Sequence, residues 1–355
     1  MGYIYTKSGK LAKRLYFGAV LLFEGLYYTF KNRVLADGGT FVENELPTIS
    51  QDAKLVLTPN AYKAGKLYSA VPNDGTGDFT VDRNSTATYI DEDGLIKTAL
   101  ANVPRIDWST GEAALLVEPQ RTNLVTYSED FSDNYWEKDG ITLVSGQSLP
   151  SVDNPNGAFK LVEDNLNNKH RVYSSIFSVT DTEYYNASVY AKKGERDFIQ
   201  VLFGNQGFGS IHCNFDLLNG EIGIPDNCTA KIELMSSGYY KCSITSKATA
   251  TTSSGILLLV NITSLTSVRQ ELYQGDGTSG IYIFGAQVET GTKATSYIPT
   301  NGTTVTRLAD NISVPTPAGV TAITETIDGV EQAPITTIPT TYSLPVGNIN
   351  KVKML

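Results

Sequence analysis

The sequence predicts an all-β protein whose main part is a β-sandwich, and three observations lead to this prediction. Glycine (31 residues), tyrosine (20 residues) and many Thr and Ser residues favour strands and turns over helices. Between residues 118 and 312, short runs of strand-forming residues alternate with turn signals. Two unusual strings, at 118–131 and at 285–307, bracket this region, as expected if the first and last strands of a sandwich pair and leave no open edge.

The strand predictions rest on alternation and on turn spacing. In the segment 184–192, Tyr185 and Ala187 lie on one face while Asn186 and Ser188 lie on the other, which predicts one buried and one solvent-exposed face. Glycine-containing turns separate such runs at the intervals of a sandwich. The strands predicted for this region are 122–127, 141–145, 158–162, 170–179, 184–192, 197–204, 211–217, 229–235, 239–247, 255–261 and 280–289.

The flanking segments also predict strands. Lys66–Val71 and Phe79–Arg83 are rich in strand formers, and Tyr89–Ile96 has the pattern of a hairpin around an Asp-Gly pair. The tail from 313 to 355 carries five prolines, which exclude a long helix, and it predicts a hairpin around Asp328-Gly329.

Composition limits the partners. The chain has 355 residues, which suits one large domain with smaller flanking modules, and 41% of them are hydrophobic. With 28 basic and 37 acidic residues its net charge is −9, so we expect neither nucleic acid nor an anionic membrane as a partner. A local basic cluster lies near the N-terminus, at Lys7, Lys10, Lys13 and Arg14.

The apolar segment Leu15–Phe30 predicts no membrane span. It has 16 residues with Glu24 in the middle, whereas a spanning helix needs about 20 apolar residues. We interpret it as a buried or interface element, with Leu26–Phe30 rich in strand formers. Two interpretations stay open: the N-terminal segment packs on the next module, or it docks onto other copies or a larger assembly.

The three cysteines, Cys213, Cys228 and Cys242, are separated by 15 and 14 residues. This number and spacing fit neither a disulfide framework nor a zinc motif. We expect free, buried thiols, which is typical of a protein assembled in a reducing cytoplasm.

Several strings occur in an order that resembles a known family. They are Arg83-Asn-Ser-Thr-Ala-Thr88, Asn102-Val-Pro-Arg-Ile-Asp107, Glu118-Pro-Gln-Arg-Thr-Asn123, Gly285-Ala-Gln-Val-Glu289, Ala294-Thr-Ser-Tyr-Ile-Pro-Thr300 and Thr306-Arg307. Together they resemble structural proteins of tailed bacteriophages that carry a carbohydrate-binding-module-like, lectin-like jelly roll. The resemblance spans residues 54–312 and departs from the family at both ends.

This resemblance implies four parts and a place in the virion. The parts are an N-terminal anchor or assembly segment (1–53), a β-rich collar (54–117), a carbohydrate-binding-module-like jelly roll (118–312) and an extended C-terminal arm (313–355). The implied function is a non-enzymatic head fibre, decoration or tail adhesin that displays its jelly roll toward glycans. Its expected partners are capsid or tail proteins, bound through the N-terminal region, and other copies of itself, with a trimer favoured.

Sugar binding and calcium binding supply the candidate sites. Sugars need aromatic faces for stacking and planar polar groups for their hydroxyls, and Arg171, Tyr173, Tyr190 and Gln200 are the candidates on predicted strands. Trp136 is interpreted as a core or rim residue. Because jelly rolls of this family often hold a structural calcium where their first and last strands meet, the resemblance implies Glu129, Asp130 and Asp310 as its ligands. No other cofactor is expected.

No constellation in the sequence predicts catalysis. The two histidines, His170 and His212, are accompanied by no Gly-x-Ser-x-Gly elbow, and no phosphate-binding loop or dinucleotide fingerprint occurs. The 37 acidic residues offer many carboxylate pairs for glycoside hydrolysis, but none stands out. We therefore expect a protein that is not an enzyme. The alternatives are a carbohydrate-binding module of a glycan-degrading system and a phage tail depolymerase, although the repeats of a long β-helix are missing.

Overall fold

The computed structural model describes residues 17–42, 52–147 and 150–355, with side chains described from residue 27 onward. The chain divides into two compact units, one made of Met1–Asp82 with Asn311–Leu355 and the other of Arg83–Asp310. Both units are built from antiparallel strands, which confirms the all-β prediction. The predicted collar 54–117 contributes to both units, and the four-part division by function stays a prediction.

The first unit is an antiparallel sheet formed by both ends of the chain. Its strands, in spatial order, are Val330–Glu331, Ile323–Ile327, Gly347–Met354, Leu55–Lys63, Lys66–Val71, Phe79–Asp82, Asn311–Pro315 and Thr341–Ser343. A short strand, Thr40–Phe41, also pairs with Leu55–Lys63. The segment 313–355, expected to be an extended arm, thus supplies strands to this sheet. The predicted hairpin at Asp328-Gly329 is confirmed, and the positive φ angles of both residues (51° and 76°) fit a tight two-residue turn.

The N-terminal segment forms a helix, Phe17–Ala36, so the prediction of strand at Leu26–Phe30 is wrong. Phe30 and Val34, one helical turn apart, are fully buried against Ala61 and Tyr68 of the sheet, and this packing outweighs the local preference for strand. The helix ends at Ala36 and is followed by a left-handed glycine, Gly38 (φ 72°).

Arg33 fastens the helix to the sheet. Its guanidinium forms two hydrogen bonds with Asp78, of 2.8 and 3.0 Å, and donates to the Asn73 side chain and the Ser69 carbonyl at 2.8 and 2.7 Å. No helix in the described part of the chain is long and apolar enough to cross a membrane. The basic cluster Lys7, Lys10, Lys13 and Arg14 lies outside the described residues.

The second unit is a sandwich of two six-stranded antiparallel sheets. The front sheet has the strand order Trp136–Asp139, His170–Ser174, Leu257–Ile262, Phe198–Phe203, Cys213–Asp216 and Glu221–Ile222. The back sheet has the order Ile141–Gln147, Ala158–Glu163, Gly280–Thr290, Tyr184–Lys193, Tyr240–Lys247 and Thr229–Leu234. One hydrophobic core fills the space between the facing sides of the two sheets.

Short strand pairs and one helical turn complete this unit. The pairs are Ala87–Ile90 with Ile96–Ala99, Ile106–Asp107 with Ala114–Val117, Arg121–Asn123 with Val305–Arg307, Asn167–Asn168 with Tyr273–Gln274, and Phe177–Val179 with Thr252–Gly255. The helical turn is Asn205–Phe208. The pairing of Arg121–Asn123 with Val305–Arg307 confirms that the two bracketing strings meet.

For strand Tyr184–Lys193, the predicted buried face is confirmed, whereas the predicted solvent-exposed face is wrong. Tyr185 and Ala187 lie in the core, as the alternation predicted. The opposite face is not exposed to solvent, because Ser188 and Tyr190 are only 3% and 4% exposed. Ile96 and Tyr297, from segments far away in the sequence, pack with Tyr190 in a second hydrophobic cluster. The back sheet is therefore covered on both faces.

Two free cysteines, Cys213 and Cys242, lie in the main core, and Cys228 is partly buried. Burial raises the pKa of the Cys213 thiol to about 12. These thiols are neutral at physiological pH and serve as small apolar core groups.

Trp136 belongs to the core, in agreement with its interpretation as a core or rim residue. It is 1% exposed, its ring lies 4.8 Å from that of Phe131, and its indole N–H donates to the Tyr127 carbonyl at 2.7 Å. The strand that begins with it, Trp136–Asp139, was missed because its other three residues are charged, which is typical of an edge strand.

We predict that Trp136→Ala lowers the free energy of unfolding by about 3–5 kcal/mol, because it leaves a cavity and an unpaired carbonyl. Urea denaturation followed by circular dichroism measures the change. Leu218→Ala is the control: Leu218 is 52% exposed, and its truncation should change stability by about 0.5 kcal/mol at most. A loss below about 1 kcal/mol for Trp136→Ala would contradict its role in the core.

Candidate functional site

An aromatic and polar surface lies on the outer face of the front sheet. Within strand His170–Ser174, Val172 points into the core, so Arg171 and Tyr173 point to the other face. Both side chains are partly exposed, and the Arg171 guanidinium carbon lies 5.3 Å from the centre of the Tyr173 ring. Together with Asp139 and Gln270 they form what we call the Arg171 surface.

Asp139 and Gln270 fix the guanidinium of Arg171. Asp139, on the edge strand, lies opposite Arg171 of the next strand, and one of its carboxylate oxygens accepts a hydrogen bond from Nε at 3.0 Å and forms an ion pair with Nη2 at 2.9 Å. Nη1 donates to the side-chain oxygen of Gln270. Since the side chains of Arg171 and Asp139 remain 19% and 34% exposed, the surface combines a held guanidinium with access to solvent.

Residues 263–272, which we call the cover loop, lie over the rest of this face. Gln200 is fully buried beneath it: its amide nitrogen donates to the Val268 carbonyl at 3.2 Å, and its oxygen accepts from the Gln270 N–H at 2.7 Å. Asn214 donates to the Leu265 and Ser267 carbonyls at 3.0 and 2.7 Å. Gln200 therefore holds the loop, and through Gln270 it helps to place Arg171.

The four predicted sugar-binding residues do not form one group. Arg171 and Tyr173 lie together, and Gln200 lies beside them but buried. Tyr190 is on the other sheet, where its ring centre is 6.4 Å from that of Phe284 and 6.0 Å from that of Tyr297. Burial raises the pKa of Tyr190. Asp139 and Gln270 were not among the predicted site residues. For Asp139, the alternation within Trp136–Asp139 was the one available signal; no sequence pattern indicated Gln270.

The predicted calcium ligands likewise have separate partners. Glu129 accepts hydrogen bonds from Asn154 (2.7 Å) and from the Tyr297 hydroxyl (3.1 Å). Asp130 is exposed and accepts from Ser132 within its own turn. Asp310 is bound by two arginines. Among the residues with described side chains, no three His, Cys, Asp or Glu form a group that could hold a metal ion.

Asp310 belongs to a buried arginine network, which consists of Arg83, Arg105, Glu118, Arg307 and Asp310. Arg105 donates to Glu118 at 2.7 Å and to Asp310 at 2.5 Å. Arg83 reaches the other Asp310 oxygen at 2.9 Å, and Arg307 reaches Glu118 at 2.7 Å. Every member is at least nine-tenths buried. Four of the family-like strings thus each contribute one charged residue to this network, namely Arg83, Arg105, Glu118 and Arg307.

The network controls the ionisation of Glu118. Burial by itself would raise the pKa of this carboxyl, but the charges of Arg105 and Arg307 and two hydrogen bonds from Ser296 outweigh it. The pKa of Glu118 is lowered to about 2. Glu118 is therefore ionised in the folded protein at any physiological pH, as a structural ion pair requires.

A second polar cluster lies around Glu163 at one end of the sandwich. Arg196 donates to Glu163 at 2.8 Å, the Tyr273 hydroxyl at 2.7 Å, and the Asp276 N–H at 2.9 Å. Burial opposes ionisation of Glu163, but these bonds prevail and lower its pKa. Glu163 is therefore ionised and anchors the loop that contains Tyr273 and Asp276. Because it is ionised, it has no proton to donate to a substrate.

His170 extends this cluster into the core. It is fully buried, its Nε2 lies 3.1 Å from Asp164 Oδ1, and its ring centre is 4.3 Å from that of Tyr273. Its Nδ1 has no hydrogen-bond partner among the described residues. The arrangement includes a His–Asp contact, but the histidine has no solvent access through which a substrate could reach it.

Glu289 has the raised pKa that a general acid needs, and burial is the cause. It is 0% exposed, and both of its oxygens accept hydrogen bonds of 2.6 Å from Thr295. Glu289 thereby fixes Thr295 beside the end of strand Gly280–Thr290.

The solved structures to which this chain is similar include modules of two enzymes. The first is the enzymatically active domain of tailspike protein 4 of bacteriophage CBA120, at 12% identity and a TM-score of 0.30, over 48% of this chain and 21% of that one. The second comprises the CBM22-1–GH10 modules of Clostridium thermocellum endo-1,4-β-D-xylanase 10B, complexed with xylohexaose, at 13% identity and a TM-score of 0.26, over 52% of this chain and 30% of that one. No protein-family model and no curated protein sequence matches the chain.

These likenesses correct one prediction. The sequence predicted a protein that is not an enzyme, whereas both neighbours are modules of enzymes, one from a phage tailspike and one from a xylanase. The prediction is withdrawn on this finding. At such TM-scores the likenesses assign no reaction to this chain, and the chain spans less than a third of either neighbour.

We predict that Glu118 makes the stability of the protein depend on pH in acid. Its folded pKa of about 2 lies below its ordinary value of 4.5, so its contribution is complete above pH 4.5 and is lost as pH falls toward 2. The loss should be on the order of 3 kcal/mol. Denaturant midpoints measured from pH 7 to pH 2 give this dependence.

Glu118→Gln tests the same network at neutral pH. It should lower the free energy of unfolding by about 3–5 kcal/mol, because Arg105 and Arg307 lose a buried counter-charge, and it should flatten the acid dependence. Glu112→Gln, an exposed carboxylate of the same unit, is the control. If both variants show the wild-type acid dependence, the network is not its source.

Proposed function

We propose that the chain is a glycan-binding module of a tailed-phage tail protein and that it serves a glycan-degrading assembly. The Arg171 surface carries this proposal, because a partly exposed tyrosine ring lies beside a guanidinium, a carboxylate and an amide on one sheet face. The sequence strings support the phage assignment. The location in the virion, on the tail, is part of the proposal.

The chemistry of the surface suits a sugar. One face of a sugar ring is lined with C–H groups that stack on an aromatic ring, and its hydroxyls pair with planar donors and acceptors. Tyr173 offers the ring, and it belongs to an apolar group with Phe198, Ile256 and Leu258 on the same face. Arg171 offers N–H groups beyond the two that are hydrogen-bonded to Asp139 and Gln270.

The surface is also held in place before any ligand binds. Arg171 is fixed by two neighbours, and Gln270 is fixed by Gln200 through its backbone N–H. A ligand that binds side chains already in position loses less conformational entropy on binding. This favours recognition over a merely structural role for the exposed part of the sheet.

Attachment and assembly through the N-terminal region are a further part of the proposal. Helix Phe17–Ala36 exposes Tyr28 and Leu35, at 60% and 51%, and their spacing of seven residues places them on one face. Exposed apolar side chains in line on a helix favour association with other helices. We propose a trimer joined through this face and attached to other virion proteins.

The binding site is tested by Tyr173→Ala. We expect binding of the glycan that the wild type selects to weaken at least tenfold, which corresponds to about 1.4 kcal/mol of lost stacking. A glycan array followed by calorimetry gives the affinities. Tyr184→Ala is the matched control, since Tyr184 is 42% exposed on the other sheet and its loss should leave binding unchanged. Equal binding by wild type and Tyr173→Ala would remove this surface from the proposal.

Assembly is tested by the double variant Tyr28→Glu, Leu35→Glu. We expect the full-length chain to change from a trimer to a monomer in light scattering, because two carboxylates would have to be buried in the helix contact. Leu218→Glu, which charges an exposed leucine of the sandwich, should leave the trimer intact. A wild-type monomer, or a double variant that stays trimeric, would contradict the proposed contact.

A further inference from the structure

The charges around the Arg171 surface determine which class of glycan it can accept. The guanidinium of Arg171 is neutralised by Asp139 at 2.9–3.0 Å, and a second carboxylate, Glu137, lies directly across from Tyr173 in the strand register. An incoming carboxylate would therefore meet two like charges and an arginine that already has a partner.

The neighbouring charged groups leave no excess of positive charge that would attract an acidic glycan. Glu271 of the cover loop adds a third carboxylate, which accepts from the Thr263 N–H and the Ser267 hydroxyl, each at 2.8 Å. Arg269 directs its guanidinium to the Phe203 carbonyl at 2.9 Å. The amine of Lys138 donates to the Ser132 and Asp133 carbonyls at 3.1 and 2.8 Å.

The free hydrogen-bonding groups also have a definite pattern. A guanidinium has five N–H donors, of which the hydrogen bonds to Asp139 and Gln270 engage two. Only one Asp139 oxygen is used by Arg171, so the other is available as an acceptor. A donor and an acceptor side by side match two adjacent hydroxyls of a sugar, one that accepts from the guanidinium and one that donates to the carboxylate.

We propose that the Arg171 surface binds neutral glycans that present adjacent hydroxyls, and that Asp139 excludes acidic glycans. This inference rests on the proposed function and specifies its ligand class. Asp139 acts here as a specificity residue, because it supplies the acceptor for one hydroxyl and cancels the charge that would attract a uronate or sialate.

Asp139→Asn tests the inference directly, because it keeps the size of the side chain and removes its charge. The full-length protein is applied to an array of neutral probes (glucans, mannans and galactans) and acidic probes (polygalacturonate, alginate and polysialate) at 20 and 300 mM NaCl. The wild type should bind a neutral probe with little dependence on salt. Asp139→Asn should lose at least tenfold on that probe and gain at least tenfold on an acidic probe at low salt only.

Glu221→Gln is the charge-matched control, since Glu221 is exposed at the opposite edge of the same sheet, and it should bind as the wild type does. Circular dichroism and thermal melting confirm that each variant is folded, and Asp139→Glu, which restores the charge, should restore the neutral preference.

The outcomes separate the two proposals. Tyr173-dependent binding of acidic probes by the wild type would overturn the neutral-glycan inference and leave glycan binding standing. Binding of neutral probes that is unaffected by Asp139→Asn would overturn the role of Asp139. No binding of any probe by the wild type would overturn the proposed function together with the inference.

Discussion

Three arginines and two carboxylates, each at least nine-tenths buried, hold the second unit of this protein together. Arg83, Arg105, Glu118, Arg307 and Asp310 come from segments that are up to 227 residues apart, and each is placed by an ion pair that only the folded chain can form. Removing such charges from water is costly, and the cost is offset only where partners are complete and well placed. A wrong register in any one segment would leave a buried charge without a partner. The network therefore selects one arrangement of the chain more than it adds net stability.

The closing strands extend this constraint to the whole sandwich. Arg307 ends the strand Val305–Arg307, which pairs with Arg121–Asn123 and so joins the two bracketing strings of the sandwich. Asn123 also donates to the Ile298 carbonyl at 2.8 Å. Ile298 in turn donates its N–H to Gln287 at 2.7 Å. These contacts cover the outer face of the back sheet, which leaves the front sheet as the face on which a ligand surface can form.

Local patterns in the sequence were sufficient for the strands but not for their surroundings. Alternation in 184–192 correctly predicted a strand with Tyr185 in the core. It did not predict that Ile96 and Tyr297 cover Tyr190, because these residues are 94 and 107 positions away in the sequence and a local pattern contains no information about such contacts. The family-like strings located Glu118 and Arg307 without revealing that they form an ion pair. The candidate site was half predictable: Arg171 and Tyr173 alternate on one strand, whereas Gln270 reaches them only through the fold of the cover loop.

The cover loop explains why so small a part of the front sheet is available for recognition. Leu202, Leu258 and Val260 on the outer face are nearly or fully buried, so the loop shields an apolar surface that would otherwise favour nonspecific association. Gln200 and Asn214 donate from below to three carbonyl groups of the loop, those of Leu265, Ser267 and Val268, and thereby stabilise an irregular segment that lies on a sheet. The same bonds set the position of Gln270 against Arg171. The stability of the loop and the geometry of the candidate site thus depend on the same hydrogen bonds. A substitution at Gln200 would therefore alter ligand recognition, although Gln200 is buried and contacts no ligand itself.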